Sequence, residues 1–185
     1  MAESKKNFHQ LITSKGISIN PFEERIPWIG GDLQTLRDSI KNENLHKDCA
    51  KQIKIATSKF PLRRDKNGFL VALLDLPKNK KLIKGLVLII HGLGGSSQRQ
   101  GLRRMAIKIQ DAGFATLRLN LRGAGPSRTL CAGTYCAECT HDLIPVIEKA
   151  RRICIQIKEE FSTKSNRIPL FGVGISLGGT ILLNT

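Results

Sequence analysis

From residue 86 onward the sequence alternates two textures, and this alternation constrains the fold more than any other feature. Segments of strand length fall at 86–90, which is wholly apolar, and at 114–121 and 168–175. Between them apolar residues recur at the helical period. Leu102, Met105, Ala106, Ile109 and Ala112 lie at i, i+3, i+4, i+7 and i+10. Gly113 then ends that helix. A second helix is expected from an N-cap at Thr140 through Lys158. Its buried side is Leu143, Ile144, Ile147, Ala150, Ile153, Cys154 and Ile157, and Pro145 is tolerated in its first turn. A third helix starts at Leu177. Strands alternating with helices, with the strand at 86–90 wholly apolar, predict an α/β fold, a mostly parallel sheet with helices on both faces.

Residues 69–76, FLVALLDL, predict one earlier strand, and 63–68 before it has the turn chemistry of a hairpin. Upstream of residue 60 the chain is polar, basic and weakly periodic. Its apolar pieces Phe22, Ile26 and Trp28 suit an arm that packs on a body, and Asp32 suits the N-cap of a short helix. The expected organisation is an N-terminal arm and cap-like segment at 1–59 and a partial core at 60–185.

Composition narrows the class. Apolar residues form 41% of the chain, enough for a real core. No apolar run approaches the ~18 residues of a membrane helix. The first ten residues lack the apolar segment of a signal peptide. Five cysteines, an odd number, point to free thiols in a reducing compartment. These features predict a soluble, cytoplasmic protein. The net charge of +15 is spread along the chain. With no reading motif beside it, it predicts no specific nucleic-acid partner, only weak peripheral contact with anionic lipid.

Gly174-Ile175-Ser176-Leu177-Gly178 is a G-x-S-x-G motif. With 17 glycines in 185 residues, chance yields the pattern roughly 0.1 times, so its weight comes from context. It follows an apolar strand and opens a helix, which is the setting of a nucleophile elbow. There Gly174 and Gly178 would leave room for a sharp turn that pushes the Ser176 hydroxyl out of the sheet edge. His91-Gly92-Leu93-Gly94-Gly95 directly follows the strand at 86–90. Backbone N–H groups of Leu93 and Leu177 are candidates for an oxyanion hole, with Gly92 and Gly94 allowing close approach. His91 precedes the serine and is expected to brace its loop. The loop lacks the phosphate-binding glycine patterns.

Cys131, Cys136 and Cys139, with His141 nearby, have a spacing that invites a metal reading. The expectation adopted is loop thiols, with no metal and no cofactor. His141 and Asp142 are adjacent on a helix start, so their side chains diverge and do not make an oriented dyad.

These segments together resemble the YheT-like branch of the α/β-hydrolases, described as predicted esterases or lipases. The resemblance is carried by WIGGDLQTL near the N-terminus, LIIHGLGGSSQ, LRLNLRGAGPS at 117–127 and GVGISLGGTILLN. It implies Ser176 as nucleophile, Leu93 and Leu177 as oxyanion donors, a small-molecule acyl ester as substrate and no cofactor. Asp32 and Cys136 stand where that branch usually has histidines. The triad order of this fold is Ser, acid, His, and neither an acid nor a histidine follows Ser176. The chain is therefore expected to be the N-terminal part of such a fold, inactive when taken alone. An acyltransferase on the same elbow, and a non-catalytic remnant binding anionic partners, are the alternative expectations.

Overall fold

The computed structural model describes residues 23–24, 26–33, 36, 44–57, 68–161 and 167–185. Residues 63–67 of the turn expected at 63–68, and Phe22, lie outside them. The chain divides into two compact units, Met1–Asn42 and Glu43–Thr185. In the first, residues 31–33 and 36 are helical. Asp32 thus sits inside the first turn rather than capping it.

The second unit is built on one five-stranded sheet in the order β1-β2-β4-β3-β5. Its strands are β1 (Lys51–Ala56), β2 (Phe69–Asp75), β3 (Leu86–Ile90), β4 (Ala115–Asn120) and β5 (Leu170–Gly174). β4, β3 and β5 run parallel, whereas β2 is antiparallel to both β1 and β4. The mostly parallel sheet expected from sequence therefore holds for the last three strands only, and the whole sheet is mixed. β1 falls within the stretch expected to be an arm. It pairs with β2 from Lys51↔Leu74 to Ala56↔Phe69, so the core starts earlier than residue 60. β1 was hard to see because, as a polar edge strand, it buries only Ile55.

Three helices cover the sheet: α1 (Gln100–Asp111), α2 (Leu143–Phe161) and α3 (Leu177–Leu183). Because strand side chains alternate, Leu86, Leu88 and Ile90 of β3 face one side. They join Leu117 and Leu119 of β4, Val146, Ala150 and Ile153 of α2, and Ile181 of α3 in the main core. Val87 and Ile89 face the other side, against Leu102 and Ala106 of α1. The periodicity of α1 is as read, except that Ala112 is its exposed C-cap. Gly113 follows at φ 93°, where a side chain would be strained.

α2 departs from expectation at its start. A 3₁₀ turn over Cys139–Asp142 precedes it, so the helix begins at Leu143 and Thr140 is not its N-cap. Ile144 is consequently exposed and Val146 is buried. Among the described residues, no helix is long and apolar enough to cross a membrane.

Candidate active site

β3 and β5 pair in parallel to Ile90↔Gly174, and the pairing extends into the next turn, where Ile175 N–H donates to Ile90 O at 3.0 Å. Two loops therefore leave neighbouring strands side by side: residues 91–99 after β3, and the Ile175-Ser176 turn after β5. Ser176 has φ 50° and ψ −120°. Among the described residues it is the one non-glycine with positive φ. Such a conformation is costly, by about 1–3 kcal/mol, and persists only where the surroundings impose it.

The surroundings do impose it. A Cβ on Gly178 would stand 2.5 Å from His91 O and 2.6 Å from Ile90 O, so α3 presses directly on the end of β3. A Cβ on Gly174 would stand 2.5 Å from Gly179 N. Both flanking glycines are thus required by close backbone approach. Ser176 itself is exposed, and Leu177 is the first residue of α3.

The loop after β3 reaches the serine. A Cβ on Gly92 would lie 3.2 Å from Ser176 Cβ and 2.9 Å from Ile175 O. Leu93 is 80% exposed, and Gly94 adopts φ 68°. The structure thus brings Ser176, Gly92 and Leu177 together and puts Leu93 next along the same loop. A hollow of about 360 Å³ opens beside the loop, lined in part by Gly94, Gly95, Arg99, Arg128 and Tyr135.

His91 lies in this constellation but points inward, only 1% exposed. Leu121 N–H donates to its Nε2 at 3.1 Å, which leaves the proton on Nδ1, and Nδ1 donates to Gly92 O at 2.8 Å. Burial pushes its pKa below 6.5, opposed in part by the bond to Gly92. Both ring nitrogens of His91 are thus engaged by backbone groups, Leu121 N–H and Gly92 O.

Tyr135, whose place sequence reasoning missed, completes the brace. Its ring meets His91 edge-on at 5.4 Å, and its hydroxyl accepts from Gly94 N–H at 2.7 Å. Arg122 and Asp142 form a buried bidentate pair at 2.7 and 2.8 Å, and Arg122 also donates to Ala132 O. Asp142 is therefore engaged by the Arg122 guanidinium. Among the described residues, no three His, Cys, Asp or Glu groups converge in a metal-binding arrangement.

A separate hollow of about 680 Å³ lies away from Ser176. It runs from Arg118 to Lys84 and Gly113, which precede β3 and β4, whereas Ser176 follows the far end of β5.

Comparison with known proteins agrees with this geometry. The model of the hydrolase family described as serine aminopeptidase, S33, matches residues 81–185. A bovine (Bos taurus) protein, phospholipase ABHD3, is 29% identical over 98 residues, covering 53% of this chain and 21% of that protein. A lidless α/β serine hydrolase from Xanthomonas campestris superposes with a TM-score of 0.52 at 20% identity, covering 77% of this chain and 57% of that one. An esterase from Pyrococcus furiosus gives 0.50 at 16% identity, covering 90% and 52%. The chain thus spans a fifth of the curated relative and a little over half of these solved structures. The family match takes in both loops, the strained serine and strands β3, β4 and β5, and by it the chain belongs to the serine aminopeptidase S33 family of hydrolases, with an α/β serine-hydrolase fold.

Proposed function

We propose that this chain carries the nucleophile and oxyanion hole of a serine-dependent carboxylic-ester hydrolase of the YheT-like branch, acting in the cytoplasm on an acyl ester or lipid-like substrate. The observation that carries the reading is Ser176. It is an exposed hydroxyl in a strained strand-to-helix turn, with the loop after β3 closed against it. Strain maintained by two glycine contacts has a purpose in an elbow and none in an ordinary turn.

In the reaction the Ser176 hydroxyl attacks the ester carbonyl. Negative charge develops on the carbonyl oxygen, which the N–H groups of Leu93 and Leu177 stabilise. The alcohol leaves with a proton, giving an acyl-enzyme, and water then releases the acid. The Tyr135–Gly94 and His91–Gly92 bonds hold the Leu93 loop in place before substrate arrives. A serine hydroxyl needs a base. His91 and Asp142 are already committed, so neither is proposed as the base or the acid. The bovine phospholipase relative supports a lipid-like acyl group over a peptide.

The test is hydrolysis of p-nitrophenyl esters of increasing chain length by the full-length protein. The wild type should hydrolyse them, and Ser176→Ala should lose on the order of 10⁴-fold or more in kcat. Equal rates for the two proteins would refute the assignment of Ser176.

A further inference from the structure

Cys136 and Cys139 form a pair that the proposed chemistry does not use. Their sulfurs stand 3.4 Å apart. A tight turn holds them there: Cys139 N–H donates to Cys136 O at 3.1 Å, and Cys136 N–H donates to Cys139 Sγ at 3.3 Å. Cys136 is exposed, while Cys139 is buried beneath it at the start of the 3₁₀ turn. One thiol meets solutes and the other is fixed behind it. Burial pushes the Cys139 thiol up to about 11.

No third His, Cys, Asp or Glu converges on the pair among the described residues. Cys131 instead donates to Ser127 O at 3.2 Å. The geometry therefore suits a bond between two sulfurs better than a metal cage. A disulfide is about 2.05 Å long, so the sulfurs must close by about 1.4 Å. Cys139 is anchored by burial and by its turn, so the exposed Cys136 does most of the moving.

Motion of Cys136 is transmitted by its neighbour. Tyr135 N–H donates to Arg122 O, its ring meets His91, and its hydroxyl accepts from Gly94 N–H. Gly94 adjoins Leu93, so Tyr135 is a positioning residue between the thiols and the loop that faces Ser176.

We propose that Cys136 and Cys139 are a redox modification site, forming a reversible disulfide that resets the Leu93 loop through Tyr135. With hydrogen peroxide as the oxidant, the Cys136 sulfur attacks one peroxide oxygen, the O–O bond breaks, and Cys136 becomes a sulfenic acid as its proton leaves with the other oxygen as water. The Cys139 sulfur then attacks the Cys136 sulfur, the S–O bond breaks, and a second water leaves with the Cys139 proton. Two thiols and one hydrogen peroxide yield one disulfide and two waters. A dithiol reductant reverses the step. Formation of the disulfide stands on the sulfur geometry alone, whereas its effect on Ser176 rests on the hydrolase reading above.

The full-length protein, treated with hydrogen peroxide, is alkylated and mapped by mass spectrometry, with fragmentation separating Cys131 from the other two. The expected product is a Cys136–Cys139 disulfide that dithiothreitol removes. The rate of fluorophosphonate labelling is read in parallel. Oxidation should slow it on the order of tenfold, within the ~10²-fold that about 1 Å of misplacement costs. Cys136→Ser, a change at an exposed position, should label at one rate with and without peroxide. Thiols that remain alkylatable, or a bond that takes Cys131, overturn the site. A disulfide with unchanged labelling overturns the coupling to Ser176. If reduced protein does not label at all, the hydrolase reading fails, and the mapped disulfide still decides the thiol pair.

Discussion

The Ser176 turn and the polar row on β4 use the same sheet in opposite ways. On β4, Arg118 and Asn120 are buried, as is Arg122 just after it, and each reaches partners. Arg118 donates to Asp48 at 2.8 and 3.0 Å, to Asp75 at 2.8 Å and to Ser97 O at 2.8 Å. Asn120 bridges Val71 O, Ser97 Oγ and Ser97 N–H. Arg122 is locked to Asp142. The two aspartates on Arg118 differ. Burial pushes Asp75 up, whereas at Asp48 burial is outweighed by Arg118 and its carboxyl lies low. At Ser176 the arrangement is reversed, with a strained backbone and an exposed hydroxyl. Buried polar groups with nearly all their bonds made, Arg118 Nε being the exception among the described residues, specify the scaffold, and the proposed chemistry sits where strain meets exposure.

The contrast can be broken first at the scaffold. Asp142→Ala leaves the Arg122 guanidinium buried and unpaired, so stability should fall by about 3–5 kcal/mol. The measurement is denaturant unfolding of the full-length protein. A loss under about 1 kcal/mol would mean that the pair is not desolvated as its geometry indicates.

Gly178→Ala strikes the seam between the two regions. The added methyl meets His91 O at 2.5 Å, and overpacking of this kind costs about 1–3 kcal/mol. Its larger effect should be on Ser176, since the turn must open to admit it. Labelling by a fluorophosphonate should slow more than the fall in folded population explains. Loss of labelling in strict proportion to unfolding would leave the glycine a packing role only.

The smallest effect is in pH. His91 is buried and neutral, with its pKa below 6.5 in the folded state. Below pH 6.5 the unfolded chain binds a proton that the folded one refuses. Stability is thus fully present above 6.5 and falls as pH drops below it, by at most about 1.4 kcal/mol per pH unit. His91→Asn should flatten the melting temperature between pH 6.5 and 5. An unchanged slope would place the acid sensitivity elsewhere.

How far the sequence was legible follows the same division. The strand-to-helix turn at Ser176 was legible because its requirements are local: two glycines, a serine, a strand before and a helix after. The β4 row was not, since LRLNLR shows an alternation but not its partners. Asp142 lies 20 residues from Arg122, and Asp48 lies 70 from Arg118. The start of α2 was misplaced for a related reason. Residues 139–142 form a 3₁₀ turn in which Asp142 pairs with Arg122, and in the helix that follows Ile144 is exposed and Val146 buried. The signal for β1 was present as Ile53 and Ile55 in alternation, but six residues of lysine-rich edge strand look like a basic arm. Tyr135 carried no local signal, because its role is a bond to Gly94, 41 residues away.

The central claim is that Ser176 is held ready as a nucleophile, and site-mapped fluorophosphonate labelling of the full-length protein tests it most directly. The account predicts one adduct, on Ser176, absent in Ser176→Ala. An adduct on another residue, or none on folded wild-type protein, would contradict it.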